Sequence, residues 1–281
     1  MSPTLLNEPT FKVTAEMINS FKENGYLVVE NLIDLGLVEV LRRDADETVA
    51  MAMEAKAKGE AAAQGSHAGV FTWSGDYMSP EEMKKYEVNG IHDMQFHRGS
   101  FSRLIMEKNV GDLAQALLGP DVMLHHTKLI YKKPHTGGMF PMHQDYPYFP
   151  FKNHSMLAFS IHLDDTDDHN GGLRVIPGSH KLGPLALANK PGQSMYVDQK
   201  KYKLEDGISA PVKAGGVVIF NYLTLHGSPV NHSDRFRRNI LLQIRDAHDI
   251  PDGEMHSSRG QGMILRGKNP HFYATDLSNR H

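Results

Sequence analysis

The pattern that sets the fold class runs through Ser155-Met156-Leu157-Ala158-Phe159-Ser160-Ile161-His162-Leu163-Asp164. Large apolar side chains occupy every second position from Leu157 to Leu163, and smaller or polar side chains separate them. Successive side chains of an extended strand point to opposite faces. The alternation therefore predicts a half-buried strand.

Strands dominate the second half of the chain, and helices dominate the first. The other strand candidates, separated by clusters of Gly, Pro, Asn and Asp, are Val122 to Lys132, Leu173 to Ile176, Gly216 to Tyr222 and Arg237 to Arg245. Upstream, apolar residues recur every three or four positions, which predicts amphipathic helices. The predicted helices are Thr14 to Asn24, a segment from Asp34 past Met53, Ser79 to about Glu87, and Asp112 to Leu118.

This order of elements predicts an α+β fold. N-terminal helices would cover one side of an antiparallel sandwich or jelly roll. With no internal repeat or low-complexity linker, residues 1–281 are expected to form one domain, made of a mostly helical preface (1–120), a β core with the functional site (121–248) and a C-terminal extension (249–281). Leu185 to Ala210 has weak periodicity, which fits a lid loop or a disordered connection equally well.

Composition excludes several classes of function. The formal charge of −3 gives no electrostatic basis for binding nucleic acid, and no apolar run approaches the length of a membrane span. Zero Cys excludes thiolate metal sites and cysteine nucleophiles. The chain shows neither a secretory signal nor a peroxisomal tail address, so we expect a cytoplasmic protein. Its 17 His direct attention to a metal or acid–base site.

One His-x-Asp triplet, His143-Gln144-Asp145, is a candidate for metal binding, because residues two apart in an extended segment face the same side. The pattern alone is weak evidence, since His162-Leu163-Asp164 and His232-Ser233-Asp234 share it. The discriminating features lie downstream, where His226 follows a predicted strand and Arg237 begins the next one. Two His and one Asp form the facial triad of non-haem iron(II), and an arginine suits a carboxylate ligand.

These motifs together resemble the phytanoyl-CoA dioxygenase family of iron(II)- and 2-oxoglutarate-dependent oxygenases. The resemblance spans roughly Val122 to Arg245. It rests on His143-Gln144-Asp145 with Tyr148-Phe149-Pro150-Phe151, on Asn170-Gly171-Gly172-Leu173-Arg174-Val175-Ile176-Pro177-Gly178-Ser179-His180, and on His226-Gly227-Ser228 with Arg237. The resemblance implies a double-stranded β-helix core.

The resemblance also implies roles for individual residues. His143, Asp145 and His226 would be the iron ligands and the catalytic centre, and Arg237 would clasp the far carboxylate of 2-oxoglutarate. Further implied cosubstrate contacts are Ser228, through a hydrogen bond, and Lys128 and Ile161, as lining side chains. The implied reaction uses Fe(II), 2-oxoglutarate and O2, with ascorbate helpful in vitro, to hydroxylate a small molecule at a C–H bond with release of succinate and CO2.

The likeness has limits that bear on the substrate. No acyl-CoA recognition surface can be placed in Met1 to Val88, so a fatty-acyl substrate does not carry over. The carboxylate of Asp145 disfavours halogenation, which relatives perform with a small residue at that position. A polar pocket of His92, His97, Arg174 or His162 would indicate an anionic small molecule, and an aromatic pocket a hydrophobic scaffold; the sequence leaves both open.

Two rival functions also remain open. The first is a non-catalytic member of the fold that binds a ligand. The second is a zinc-type cupin hydrolase or isomerase, because two His and one Asp also suit zinc with a catalytic water. The partner expected in every case is a small molecule, with neither nucleic acid nor membrane, and a homodimer is left open.

Overall fold

The structure is a computed structural model that describes residues 11–58, 70–73, 78–188, 195–255 and 258–271. Its helices are α1 (Ala15–Asn24), α2 (Leu35–Ala57), α3 (Pro80–Lys85), α4 (Gly99–Ile105) and α5 (Lys108–Leu118). Its strands are β1 (Tyr26–Val29), β2 (Val70–Trp73), β3 (Val88–His92), β4 (Val122–Lys132), β5 (Phe140–His143), β6 (Leu157–His162), β7 (Arg174–Val175), β8 (Ile208–Ser209), β9 (Val217–Asn221), β10 (His226–Ser228), β11 (Arg237–Asp246) and β12 (Ile264–Arg266).

Local signals in the sequence set the helix ends. The hydroxyl of Thr14 accepts a hydrogen bond from the backbone N–H of Met17 at the start of α1, and Gly25 ends the helix in the left-handed region at φ 75°. Ser79 and Glu82 form the predicted capping box of α3. That helix ends at Lys85, and α5 begins at Lys108, four residues before the predicted start. The sequence did not predict α4.

Two antiparallel sheets form the β structure. The larger has eight strands in the order β1-β9-β6-β11-β4-β3-β2, with β12 paired to β4. The smaller has four, in the order β5-β10-β7-β8. The mixture of helices and antiparallel sheets confirms the α+β prediction. The segment predicted as a mostly helical preface also supplies β1, β2 and β3 to the larger sheet, and the C-terminal segment supplies β12.

Both faces of β6 are buried, so the prediction of a half-buried strand is wrong. Leu157, Phe159 and Ile161 lie in the main hydrophobic core, together with buried side chains of α1, α2, α4 and α5. On the opposite face, Ala158 packs in a second cluster that includes Leu173 and Val175, next to and within the smaller sheet. The helices therefore cover one face of the larger sheet, and the smaller sheet covers the other.

Part of the predicted lid segment is packed against the core. Residues 189–194 lie outside the described residues, but Val197 and Leu204 are buried in a cluster with Met142 and Leu225. The side-chain amide of Gln199 bonds both backbone groups of Met142, accepting from its N–H at 3.1 Å and donating to its carbonyl at 2.9 Å. These bonds fasten β5, the strand that ends at His143. Within the described ranges, no helix is both long and apolar enough to cross a membrane.

Candidate metal centre and adjoining cavity

The three predicted metal ligands are brought together by the smaller sheet. His143 is the last residue of β5 and His226 the first of β10, and the two are direct register partners. Asp145 follows two residues after His143, where its backbone N–H donates to the carbonyl of Tyr222 at 2.9 Å. Strand pairing thus places side chains 83 positions apart in the chain at a single point.

The ligand atoms of these side chains converge. The Nε2 atoms of His143 and His226 lie 3.7 and 3.6 Å from Oδ1 of Asp145, and all three ligand atoms fall within 4.8 Å of one another. The two imidazole rings are 4.1 Å apart at their centroids. His226 and Asp145 are buried, and His143 is partly buried. One ion can therefore contact all three residues.

Backbone carbonyls fix the orientation of both imidazoles. Nδ1 of His143 lies 2.8 Å from the carbonyl oxygen of Pro141, and Nδ1 of His226 lies 2.9 Å from that of Thr224. Because a carbonyl can only accept, each Nδ1 carries the hydrogen and each Nε2 presents its lone pair. Burial and the neighbouring His226 lower the pKa of His143 to about 3, against the opposing effect of Asp145. The ring is thus neutral, as metal ligation requires.

Gln243 holds the carboxylate of Asp145 from behind. Its side-chain Nε2 donates to Oδ2 of Asp145 at 2.7 Å, which leaves Oδ1 facing the imidazoles. Gln243 lies on β11 of the larger sheet and is 1% exposed. This residue was not predicted from the sequence. Its position six residues after Arg237 puts it on the same strand face, and that is the signal that identifies it.

The other two His-x-Asp triplets form no such centre. Asp164, two residues past the end of β6, accepts three hydrogen bonds from Arg238, while His162 lies within 3.2 Å of the hydroxyl of Ser160. Asp234 is exposed. Across the residues that the structure describes, His143, Asp145 and His226 are the one group of three or more His, Asp or Glu ligands that can hold a metal ion.

A cavity opens beside this centre, between the two sheets. Its walls are formed by Lys128, Ile130, Phe140, His143, Asp145, Ser160, Leu173, Phe220, His226, Gly227, Ser228, Arg237, Asn239 and Leu241. Arg237, Asn239 and Leu241 are alternate residues of β11, so one face of this strand lines the cavity from end to end. We call the side with His143, Asp145 and His226 the metal end, and the side with Arg237 the anchor end.

Arg237 is a buried cation with unused hydrogen-bonding capacity. The residue is 2% exposed, and its Nε has no hydrogen-bond partner among the described residues. Burial lowers the pKa of the guanidinium to about 10, with the carboxylate of Asp164 opposing the shift. A buried arginine without a bonded anion is costly unless a ligand supplies the negative charge. The anchor end is therefore suited to a carboxylate.

The remaining predicted cosubstrate contacts divide into two groups. Ser228 and Lys128 line the cavity as expected. Ile161 does not, and this prediction is wrong. Its side chain lies in the core between the larger sheet and the helices, because the pleat of β6 turns it away from the cavity. The neighbouring Ser160 faces the cavity instead.

A buried polar network at the anchor end was not predicted. The amide of Asn239 donates to the hydroxyl of Ser160 at 2.8 Å, and that hydroxyl lies 3.2 Å from Nε2 of His162. Burial, reinforced by the positive charge of Arg237, lowers the pKa of His162 well below its usual value and keeps the ring neutral. Among the described residues, Oδ1 of Asn239 and Nδ1 of His162 have no hydrogen-bond partner.

Aromatic side chains lie near the metal end. The ring of Phe220 lies 4.3 Å from that of His226, and Tyr146 packs edge-on against Tyr222 at 5.4 Å. Phe149 contacts two adjacent histidines, His125 at 4.9 Å and His126 at 5.5 Å between ring centroids. Adjacent strand residues were expected to face opposite ways, but a register shift opposite Gln243 and Ile244 lets both rings reach Phe149.

The four polar residues considered for a substrate pocket do not converge. Arg174 forms a bidentate ion pair with Asp168, with both contacts at 2.9 Å, and His97 is exposed. His92 instead meets His126 across the sheet, with 2.9 Å between Nδ1 and Nε2. These positions therefore give no single anion-binding pocket.

Comparison with known proteins defines the class of protein. The family model for phytanoyl-CoA dioxygenase (PhyH) matches residues 21–239, so the chain belongs to the phytanoyl-CoA dioxygenase family. Membership makes it an iron(II)- and 2-oxoglutarate-dependent dioxygenase, which confirms the predicted enzyme class and its cofactors. The anion-suited cavity beside the three ligands agrees with that class.

Two curated relatives illustrate the range of the family. The chain is 28% identical to peroxisomal phytanoyl-CoA dioxygenase of Bos taurus over 84% of this chain and 69% of the relative. It is 26% identical to ectoine dioxygenase of Sphingopyxis alaskensis over 82% of this chain and 75% of the relative. Relatives of similar identity thus carry names with different substrates.

Solved structures share the fold. EctD from S. alaskensis in its apoform matches 91% of this chain and 87% of its own with a TM-score of 0.67 at 22% identity. SnoK, a non-haem α-ketoglutarate-dependent carbocyclase from nogalamycin biosynthesis, matches 92% and 95% with a TM-score of 0.67 at 17% identity. Their reactions are their own, and the likeness establishes only the common architecture.

Proposed function

We propose that the chain hydroxylates a small-molecule substrate at a C–H bond, with release of succinate and CO2 from 2-oxoglutarate. His143, Asp145 and His226 would hold the iron, and Arg237 with Ser228 would bind the far carboxylate of 2-oxoglutarate. The observation that carries the proposal is the convergence of three ligand atoms within 4.8 Å, beside a cavity lined by a buried arginine.

The donor set fits the group. Two imidazole nitrogens and one carboxylate oxygen are the facial triad of non-haem iron(II), which leaves positions open for a cosubstrate and oxygen. Iron(II) with 2-oxoglutarate would activate O2, which oxidises 2-oxoglutarate to succinate and CO2 and the substrate at its C–H bond. The presence of the carboxylate of Asp145 favours hydroxylation over halogenation.

The protein's own contribution is binding, orientation and exclusion of water. The carbonyls of Pro141 and Thr224 orient the imidazoles, and Gln243 orients the carboxylate. Arg237 can form two parallel hydrogen bonds to a carboxylate, which fixes the far end of a dicarboxylic acid. Phe220 and the aromatic cluster near Tyr146 keep the metal end apolar, so that bulk water is excluded from the reacting atoms.

The proposed function also implies a β-helix core and a single domain. The two facing antiparallel sheets would form the double-stranded β-helix implied by the motifs. Residues 1–281 would then form one dioxygenase domain, since strands from residues 26–29 through 264–266 join the same larger sheet. Lys128, with a pKa lowered by burial, would lie along the cosubstrate.

Succinate release is the direct test. The protein with Fe(II), 2-oxoglutarate, ascorbate and O2 is expected to form succinate faster when a substrate from a broad panel is present, including CoA thioesters and ectoine-like zwitterions. Omission of O2 or replacement of iron by zinc should stop the reaction. Binding of 2-oxoglutarate without turnover across the panel would support a non-catalytic binding protein, and activity that needs zinc but no O2 would support a cupin hydrolase or isomerase.

A further inference from the structure

A second buried basic side chain lies beside Arg237, on the neighbouring strand at the anchor end of the cavity. Lys132, the last residue of β4, is the register partner of Arg237 on β11, and its side chain is completely buried. Within the described ranges, neither side chain forms an ion pair with a carboxylate. Burial and the charge of Arg237 lower the pKa of Lys132 well below its usual value, so a bound anion is needed to stabilise both charges together.

The contacts of Lys132 connect it to the cavity through Ser228. Its Nζ lies 2.7 Å from Oγ of Ser228 and 2.7 Å from the carbonyl oxygen of Pro229, and it stands 5.5 Å from the ring centre of Phe140. An ammonium group can only donate hydrogen bonds. Oγ of Ser228 therefore accepts from Lys132, and its own hydrogen is free to point into the cavity that Ser228 lines.

The glycine motif of the chain makes room for this lysine. A Cβ on Gly171 would lie 2.7 Å from the carbonyl oxygen of Pro229 and 3.2 Å from Nζ of Lys132. A Cβ on Gly137 would lie 2.6 Å from Cβ of Lys132. Gly171 also has φ 77°, in the region that favours glycine. The buried side chain of Lys132 thus explains why the Asn170-Gly171-Gly172 segment has a glycine at position 171.

We propose that Lys132 is a positioning residue for the cosubstrate. It orients the hydroxyl of Ser228 toward the far carboxylate of 2-oxoglutarate and adds a second positive charge beside that of Arg237. This inference rests on the proposed function. It predicts that Lys132 contributes to the recognition of the distal carboxylate, but not to metal binding or to the recognition of the 2-oxo acid group.

The test compares two ligands that differ only at the far end. Calorimetry of the full-length Mn(II)-loaded protein would measure the dissociation constants of 2-oxoglutarate and of 2-oxopentanoate, which lacks the distal carboxylate. Lys132→Met is expected to weaken the binding of 2-oxoglutarate about tenfold, because a charge-assisted hydrogen-bond network is lost. The dissociation constants of 2-oxopentanoate and Mn(II) should stay within about twofold of the wild-type values. A change of that size is small compared with the tenfold effect on 2-oxoglutarate.

The control is Lys133→Met, the same change at the next residue. Lys133 pairs with Glu87, 3.1 Å away, and should affect neither ligand. If Lys132→Met fails to fold, Ser228→Ala removes the hydroxyl and leaves the lysine in place. That variant should also weaken the binding of 2-oxoglutarate several-fold and leave the binding of 2-oxopentanoate unchanged.

The outcomes distinguish failure of the role given to Lys132 from failure of the proposed function. Unchanged affinity for 2-oxoglutarate in a folded Lys132→Met protein would overturn the inference alone, as would equal weakening of both ligands. If only Ser228→Ala folds, its failure to weaken 2-oxoglutarate would likewise overturn the inference. A wild-type protein that binds Mn(II) but not 2-oxoglutarate would overturn the proposed function, and this inference with it.

Discussion

At the metal end of the cavity, the protein bonds the atom of each ligand residue that faces away from the centre, although Oε1 of Gln243 has no partner among the described residues. At the anchor end, buried polar atoms of the cavity wall itself have no partner among those residues. Nδ1 of each imidazole faces a carbonyl and Oδ2 of Asp145 faces Gln243. By contrast, Nε of Arg237 and Oδ1 of Asn239 are unmatched among the described residues.

This difference follows from the kind of ligand that each end receives. A metal ion needs its ligand atoms aimed before it arrives, and hydrogen bonds from behind supply that aim. An organic anion brings several acceptor oxygens and can complete the hydrogen bonds of the groups around it. The metal end is thus preorganised by the protein alone, while the anchor end is completed by its ligand.

The largest expected effect is at the metal end. Asp145→Ala removes one of three ligands, so we expect metal affinity to fall by more than the roughly 10- to 100-fold that accompanies loss of a supporting partner. Hydroxylation should be abolished. Equilibrium dialysis with Mn(II) measures the affinity, and Asp234→Ala, which changes the exposed Asp of another His-x-Asp triplet, is the control. Retention of full metal affinity would remove Asp145 from the centre.

At the anchor end, Arg237→Ala should separate cosubstrate binding from metal binding. A charge-assisted hydrogen-bond pair contributes about 1.5–3 kcal/mol, so the 2-oxoglutarate requirement should rise roughly 10- to 150-fold. Mn(II) affinity should not change. The control is Arg238→Ala, because that side chain lies on the other face of β11 and pairs with Asp46 and Asp164. An unaltered dependence on 2-oxoglutarate in the Arg237 variant would show that the carboxylate binds elsewhere.

Gln243→Leu tests whether the metal end depends on support from the larger sheet. Without the amide, the carboxylate of Asp145 loses its partner and can rotate, so metal affinity should fall about tenfold, within the range known for outer-shell residues. The optical spectrum of the Co(II)-substituted protein should change as the coordination loosens. Gln115→Leu on α5 is the control. Equal Co(II) spectra and affinities in wild type and variant would show that Gln243 does not hold the carboxylate of Asp145 in place.

The smallest effect is expected where the predicted lid segment fastens β5. Gln199→Ala removes two hydrogen bonds to the backbone of Met142, which should cost about 1 kcal/mol of stability and lower the Tm by about 2 °C. Metal affinity should fall at most slightly, since the imidazole of His143 keeps its carbonyl partner. Thermal unfolding checks this, with the exposed neighbour Lys200→Ala as the control. No change in Tm would mean that other contacts hold β5.

Sequence patterns predicted the long elements, and the motifs predicted a ligand set whose atoms the structure brings together. The long strands β4, β6, β9 and β11 and the helices α1 and α2 have periodicities that nearly match their observed bounds. The short strands β5 and β10 were not predicted, although the equally short segment Leu173 to Ile176, which contains β7, was. Those two strands nevertheless hold His143 and His226, so the motif spacing located ligands that secondary-structure patterns did not.

The sequence by itself determined the chemistry available to this protein, in the form of two His, one Asp and an Arg in a fixed order. Tertiary structure decided which side of β6 faces the cavity and which groups stand behind the ligands. The physical reason is that residue type fixes what an atom can donate or accept, whereas convergence depends on pairing between distant strands. Ile161 and Lys132 show this, since alternation fixes which residues share a face of a strand, but only the packing of the sheets decides which face lies on the cavity side.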